Sequence, residues 1–160
     1  MPPLTDTLCL HCGLCCNGVL FADVRAEAGD RSPLFADRPR VTQPCPAFSA
    51  GDCTCAIYRE RPRRCRQFEC RQLQGTGTGE ITVAAALRRI ARARRFAAKI
   101  EKSLTALGFN NLKQPLKRRF EKCQRAAEAG LLDASQHARL AGLQLAMHQL
   151  NQLLAKEFYG

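Results

Sequence analysis

Ten of the 160 residues are cysteine, and they are not spread evenly. Cys9, Cys12, Cys15, Cys16, Cys45, Cys53, Cys55, Cys65 and Cys70 fall in the first 70 residues, and Cys123 stands alone beyond them. The densest run is Cys9-Leu10-His11-Cys12-Gly13-Leu14-Cys15-Cys16. Two CxxC turns share Cys12, so three thiolates can converge on one centre. Cys15 and Cys16 are adjacent, and neighbouring side chains do not comfortably reach the same atom. Cys16 therefore points to a second site or to an edge shared between two.

Thiols at such spacings either pair as disulfides or bind metal, and the redox compartment decides between them. The stretch before Cys9, Met1-Pro2-Pro3-Leu4-Thr5-Asp6-Thr7-Leu8, shows no basic segment followed by an apolar one. It reads as the start of a cytoplasmic protein without a secretory signal. In a reducing compartment the spacing favours metal. Residues 9–70 also carry prolines 33, 39, 44, 46 and 62 and glycines 13, 18, 29 and 51, which break them into loops and short elements. A segment of that kind buries too little apolar surface to offset an ordering cost of about 1–2 kcal/mol per residue. Metal–thiolate bonds are the expected staple, because the binding energy of a structural metal becomes folding energy.

The remaining thiols form a second block: Cys45-Pro46-Ala47-Phe48, then Cys53-Thr54-Cys55-Ala56-Ile57-Tyr58, then Arg61-Pro62-Arg63-Arg64-Cys65-Arg66-Gln67-Phe68-Glu69-Cys70. Taken in order, CxxCxxCC, CPxF and CxIYxxRPxxCRxFxC resemble the bacterial CxxCxxCC cysteine-cluster family of zinc- or iron-chelating domains. The resemblance covers residues 9–70 and does not extend to the rest of the chain. Carried over position by position, it implies metal ligation by Cys9, Cys12, Cys15, Cys16, Cys45, Cys55, Cys65 and Cys70. Cys53 falls outside the pattern, as a spare thiol or an alternative ligand. Eight thiolates match two four-coordinate sites, or one cluster plus one ion. Some relatives resemble iron–sulfur-dependent protein lysine methylases, although no methyl-donor signature is visible here.

Zinc and an iron–sulfur cluster both suit a thiolate-rich tetrahedral set. Three cysteines at CxxCxxC with a remote Cys45-Pro46 resemble the ferredoxin-type pattern of a 4Fe–4S cluster and favour the cluster. His11 is a ligand candidate, or a donor to a ligating sulfur. Phe48, Tyr58 and Phe68 read as packing. Arg61, Arg63, Arg64 and Arg66 can offset the excess negative charge of four thiolates on a divalent ion, or simply form a solvated face. A nucleophilic cysteine would need a base such as histidine. Besides His11, only His137 and His148 exist, eleven apart on one helix face.

The elements behind the cysteines must be helical. Hydrophobic residues make up 46% of the chain and aromatic ones only 6%, with no tryptophan, so a large core has to come from Leu, Ile, Val and Ala. Val83, Leu87, Ile90, Ala93, Ala97, Ile100, Leu104 and Leu107 step by three or four, the mark of one buried helix face, with Gly108 as the stop. A second helix starts near Pro115, buries Leu116, Phe120, Cys123 and Ala127, and ends at Gly130. Cys123 on that stripe is a small buried hydrophobe. A third begins at Asp133, capped with Gln136, and runs through Leu140, Leu143, Met147, Leu150, Leu154 and Phe158. The fold class is thus irregular/α: a small metal-stapled Cys-rich unit (1–74), a Gly75-Thr76-Gly77-Thr78-Gly79 connector (75–79), and a basic three-helix unit (80–160).

The net charge of +11 belongs to the back of the chain: residues 1–70 hold nine Lys/Arg and eight Asp/Glu, residues 71–160 sixteen and six. Arg88, Arg92, Arg95, Lys99 and Lys102 form one cationic stripe, widened by Arg89 and Arg94, and Lys113, Lys117, Arg118, Arg119, Lys122 and Arg125 continue it. A stripe of this kind fits a nucleic acid or an acidic protein, but also a merely solvated face. No aromatic residue interleaves it to stack single-stranded bases. No stretch reaches the roughly 18–20 apolar residues of a membrane span. With no acid–base pair and no cofactor loop in view, a metal-binding protein is the first reading. A cluster- or zinc-dependent enzyme and a nucleic-acid module with a structural metal are the alternatives.

Overall fold

The computed structural model describes residues 3–160, residues 4–6 by their backbone only. Among the described residues there are six α-helices: α1 Leu4–Cys12, α2 Arg63–Gln67, α3 Arg71–Gly77, α4 Val83–Ala106, α5 Leu116–Glu128 and α6 Ala134–Glu157. Two small antiparallel ribbons lie between α1 and α2. β1 Asp23–Arg25 pairs with β2 Arg40–Thr42, setting Val24 opposite Val41, and β3 Phe48–Ser49 pairs with β4 Thr54–Cys55. No described helix is long and apolar enough to cross a membrane.

The three long helices stand where their periodicity puts them. Thr82 caps α4 by accepting from the Ala85 N–H at 3.2 Å. The helix stops as Gly108 turns left-handed at φ +90° and the Phe109 N–H bonds back to Leu104 O. The α6 cap is the reciprocal one expected: the Gln136 N–H donates to the Asp133 carboxylate at 2.8 Å, and the Asp133 N–H donates to the Gln136 side-chain oxygen at 2.9 Å. Leu140, Leu143, Met147, Leu150, Leu154 and Phe158 are all buried, against Ile90, Ala93, Ala97, Ile100 and Leu104 of α4. Cys123 is fully buried on α5, where burial pushes its thiol up.

Three observations modify the sequence reading. The cysteine segment is more regular than its prolines suggest, with three short helices at its two ends. The Gly/Thr run is no open connector: α3 continues to Gly77, and Gly75 is buried so closely against Ile81 that a Cβ there would sit 2.5 Å from its Cδ1. Arg119 leaves the cationic stripe altogether. It is only 2% exposed, and its Nε donates to Phe109 O at 2.9 Å and its Nη2 to Thr105 Oγ1 at 3.3 Å. Burial lowers the Arg119 pKa, and the Glu101 carboxylate 3.7 Å away opposes that shift.

One apolar core joins front to back. Leu8, Leu14 and Leu20 are buried in the same cluster as the α4, α5 and α6 residues. Polar ties reinforce the joint: Tyr159 OH donates to Leu20 O at 2.8 Å, Arg94 Nη1 to His11 O at 2.7 Å, the Leu116 N–H to Gly18 O at 3.3 Å, and the Arg71 N–H to Phe158 O at 3.1 Å.

Leu14 has no exposed surface. Leu14→Ala should cost about 2–5 kcal/mol of unfolding free energy in urea titration, the range for an emptied leucine site. Asp133→Ala, which removes only the α6 cap, should cost about 1 kcal/mol by the same measurement.

Candidate metal centre

Eight of the nine front cysteines take their places from five local structures. Cys9 and Cys12 lie three apart on α1, on neighbouring positions of one helix face. Gly13 then ends α1 in the left-handed conformation, φ +66°. A tight turn follows, in which the Cys16 N–H (3.0 Å) and the Asn17 N–H (2.9 Å) both donate to Gly13 O. Leu14 drops into the core from this turn, and Cys15 and Cys16 leave it in succession. A Cβ at Gly13 would meet the Phe48 ring at 2.7 Å, so glycine is needed for closeness as well as for its backbone angle.

Cys70 precedes the first residue of α3, and α3 packs on α1, which brings Cys70 to Cys9 and Cys12. Cys45 is tied to the turn by its own N–H, which donates to Cys16 O at 2.8 Å. Cys55 sits on β4 opposite Phe48 of β3, and the Phe48 N–H bonds to Cys45 O at 3.0 Å, so the hairpin sets Cys55 near Cys45. Cys65 lies on α2, exposed. That helix is fixed to the β1 side by Arg64 Nε on Glu27 at 3.0 Å and by the Arg63 N–H on Asp30 at 3.0 Å.

The electrostatics follow the placement. Burial pushes the Cys12 thiol from its ordinary 9.0 to about 12; the Leu14 N–H and the Arg94 guanidinium act against this, while the charges of Cys70 and Cys9 add to it. Cys15 is pushed well up by burial and then by Cys12, Cys16, Cys70 and Cys9. Cys16 rises to about 12 through burial and then through Cys45, Cys65, Cys55 and Cys9. Burial raises Cys45, with Cys55 adding, although the Ala47 and Phe48 N–H groups stabilise its thiolate. Cys65 rises to about 11 by burial, Cys45 and Cys55, opposed by Arg61.

None of the ten cysteines is disulfide-bonded. Nor, among the described residues, are any three Cys, His, Asp or Glu side chains already drawn tightly enough together to grip one ion. The donor set still suits a soft cation. Half-buried thiols that repel one another when ionised are held near backbone N–H donors and guanidinium groups that stabilise the thiolate form. Cys9, Cys12, Cys15, Cys16, Cys45, Cys55, Cys65 and Cys70 are the residues that would hold such a metal.

Other candidates fall elsewhere. His11 Nδ1 donates to Thr7 O of its own helix at 2.7 Å. Cys45, expected as the remote partner of CxxCxxC, neighbours Cys16, Cys55 and Cys65 instead, and the remote thiol that acts on Cys12 and Cys15 is Cys70. Cys53 occupies a left-handed position, φ +55°, and its Sγ lies against Gly13. Of the four arginines in the second block, Arg61 faces Cys65 while stacking over Tyr58 at 4.0 Å, and Arg64 pairs with Glu27. Phe68 packs edge-on to Phe21, ring centres 4.8 Å apart. Arg94, read from the sequence as part of the outer stripe, reaches the Cys12 side; only the packing of α1 on α4 reveals this.

Thiols at these positions, with backbone N–H groups stabilising the sulfurs of Cys12 and Cys45, are donors of the kind a thiolate chelator uses. Residues 8–81 match the model of the CxxCxxCC family, described as "Putative zinc- or iron-chelating domain". The similarity covers less than half of the chain, and the helices from residue 82 onward lie outside it. No curated protein and no solved structure matches the chain.

The raised thiols give the metal-free chain a definite pH dependence. Unfolded cysteines lose their protons near 9.0, whereas folded Cys12 and Cys16 hold theirs to about 12. Between those values the native state binds more protons, so its stability falls as pH rises from 9 towards 12. A metal-loaded form, with its thiolates already deprotonated, should instead gain stability up to about pH 9. Urea midpoints should therefore rise with pH up to about 9 when zinc is present, and fall from pH 9 towards 12 when it is absent.

Proposed function

We propose that this protein holds zinc or an iron–sulfur cluster through the thiolates of Cys9, Cys12, Cys15, Cys16, Cys45, Cys55, Cys65 and Cys70. In this reading its role is to chelate, sense or deliver that metal, or to present a cluster to a partner. The observation that carries the reading is the gathering of these eight thiols from α1, the following turn, the β3–β4 hairpin, α2 and the start of α3. Burial and the charges of neighbouring thiols oppose the ionisation of Cys12, Cys15, Cys16, Cys45 and Cys65, and a bound cation would offset both. The Cys9–Cys12–Cys15 spacing with a remote cysteine supports a cluster, and all-thiolate donors suit zinc equally. The cysteine-rich unit, residues 1–74, is then the metal-holding part, stapled by what it binds, and residues 80–160 are its basic helical support.

Protein purified under strict exclusion of oxygen should contain zinc or iron by elemental analysis, with broad visible absorption if iron–sulfur is the occupant. Removing the metal should loosen residues 9–70, read as faster amide exchange there, while α4 and α6 stay helical. A metal-free protein with fully protected cysteine loops would overturn the proposal.

A second reading draws on α4. Arg88, Arg92, Arg95, Lys99 and Lys102 are all exposed, and none is ion-paired among the described residues. These five would contact a nucleic acid's phosphates, or an acidic protein. Affinity for duplex DNA or RNA should then fall steeply with salt. A triple R88Q/R92Q/R95Q variant that bound as tightly as the parent would remove this reading.

A further inference from the structure

We propose that the cysteines form two separate thiolate centres with no sulfur in common: Cys9, Cys12, Cys15 and Cys70 hold one, and Cys16, Cys45, Cys55 and Cys65 the other. This rests on the metal-holding reading above and adds the division of ligands.

Position divides the thiols first. Cys12, Cys15 and Cys70 pack against the main hydrophobic core, and Cys9 shares α1 with Cys12. The α1–α3 contact closes this group, since Cys70 stands at the start of α3. Cys16, Cys45 and Cys55 belong instead to the turn and hairpin layer. There the backbone bonds of Cys45 to Cys16 and of Phe48 to Cys45, with Cys55 across the ribbon, tie three of the four together.

The charges that each thiol feels divide in the same way. Cys12 is acted on by Cys70 and Cys9, and Cys15 by Cys12, Cys70 and Cys9 besides its chain neighbour Cys16. Cys16 feels Cys45, Cys65 and Cys55 before a weaker effect of Cys9, and Cys65 feels Cys45 and Cys55. Adjacent Cys15 and Cys16 thus serve different groups, which removes the crowding that two consecutive ligands on one atom would bring. Each group also has its own guanidinium, Arg94 beside Cys12 and Arg61 beside Cys65. Four thiolates on a divalent ion leave a net charge of −2, and a local cation at each centre offsets part of it. Cys53 is not among the leading charges on any of these thiols, and its Sγ lies against Gly13, so it is assigned to neither set.

Cadmium-113 NMR of the full chain, stripped of metal and reloaded with cadmium alone, tests the division. The expected result is two resonances in the four-sulfur range with no cadmium–cadmium splitting, at two equivalents per chain. C45S/C55S should remove or shift one resonance and leave the other in place, and C12S/C70S should do the reverse. C55S/C70S should disturb both, and C53S neither. Mutual splitting, a single resonance, or movement of both signals in C45S/C55S would overturn the two-centre division while leaving metal holding intact. Failure of the parent chain to bind cadmium at all would overturn both. The parent spectrum decides the number of centres even if a double variant does not fold.

Discussion

Three leucines decide where the cysteines stand. Leu8, Leu14 and Leu20 are spaced through the first run of thiols and are buried in the core that α4, α5 and α6 build. Each is followed closely by a feature of the site or its surroundings: Cys9 directly after Leu8, Cys15 and Cys16 after Leu14, and β1 three residues after Leu20. The loops around them bury little apolar surface of their own. Their fixed position comes from these anchors and from backbone hydrogen bonds, and the helical part acts as the platform on which the chelating segment is laid out.

The platform is legible in the sequence because its information is local. A period of three to four in Leu, Ile and Ala, a glycine after α4 and after α5, and an Asp–Gln pair at the start of α6 are short-range signals, and the three helices obey them. The cysteine partners are a different kind of fact. Cys70 reaches Cys12 only because α3 packs on α1, and Cys45 reaches Cys16 only through one backbone hydrogen bond across the turn. Spacing along the chain offered Cys45-Pro46 as the partner of CxxCxxC, and packing chose Cys70. The helical state of Cys9–Cys12 was similarly hidden, since a CxxC run fits a turn or a helix equally well. The Gly-Thr repeat misled by composition: glycine at position 75 is there because Ile81 leaves no space for a side chain, a reason that has nothing to do with flexibility.

Positive charge shows the same distinction between pattern and placement. The five cations at 88, 92, 95, 99 and 102 fall on one exposed face, as a helical wheel requires. Arg94 and Arg119 carry the same charge yet are engaged by carbonyls of the chain itself. Arg94 bonds to the carbonyl that begins the Cys12 turn, and Arg119 satisfies the end of α4 from inside the core. An inventory of basic residues therefore overstates the charge available to an external polyanion and understates the charge available to the thiols.

Gly13 occupies a junction with a mechanical character of its own. Its backbone closes α1, and the absent side chain leaves room for the Phe48 ring of the hairpin, with Cys53 Sγ on the same side. Helix end and hairpin consequently mesh like two gear teeth with no slack between them. A shift of the hairpin towards α1 has nowhere to go except into the helix terminus. Strain arising on either side is thereby conveyed to the other through steric contact alone.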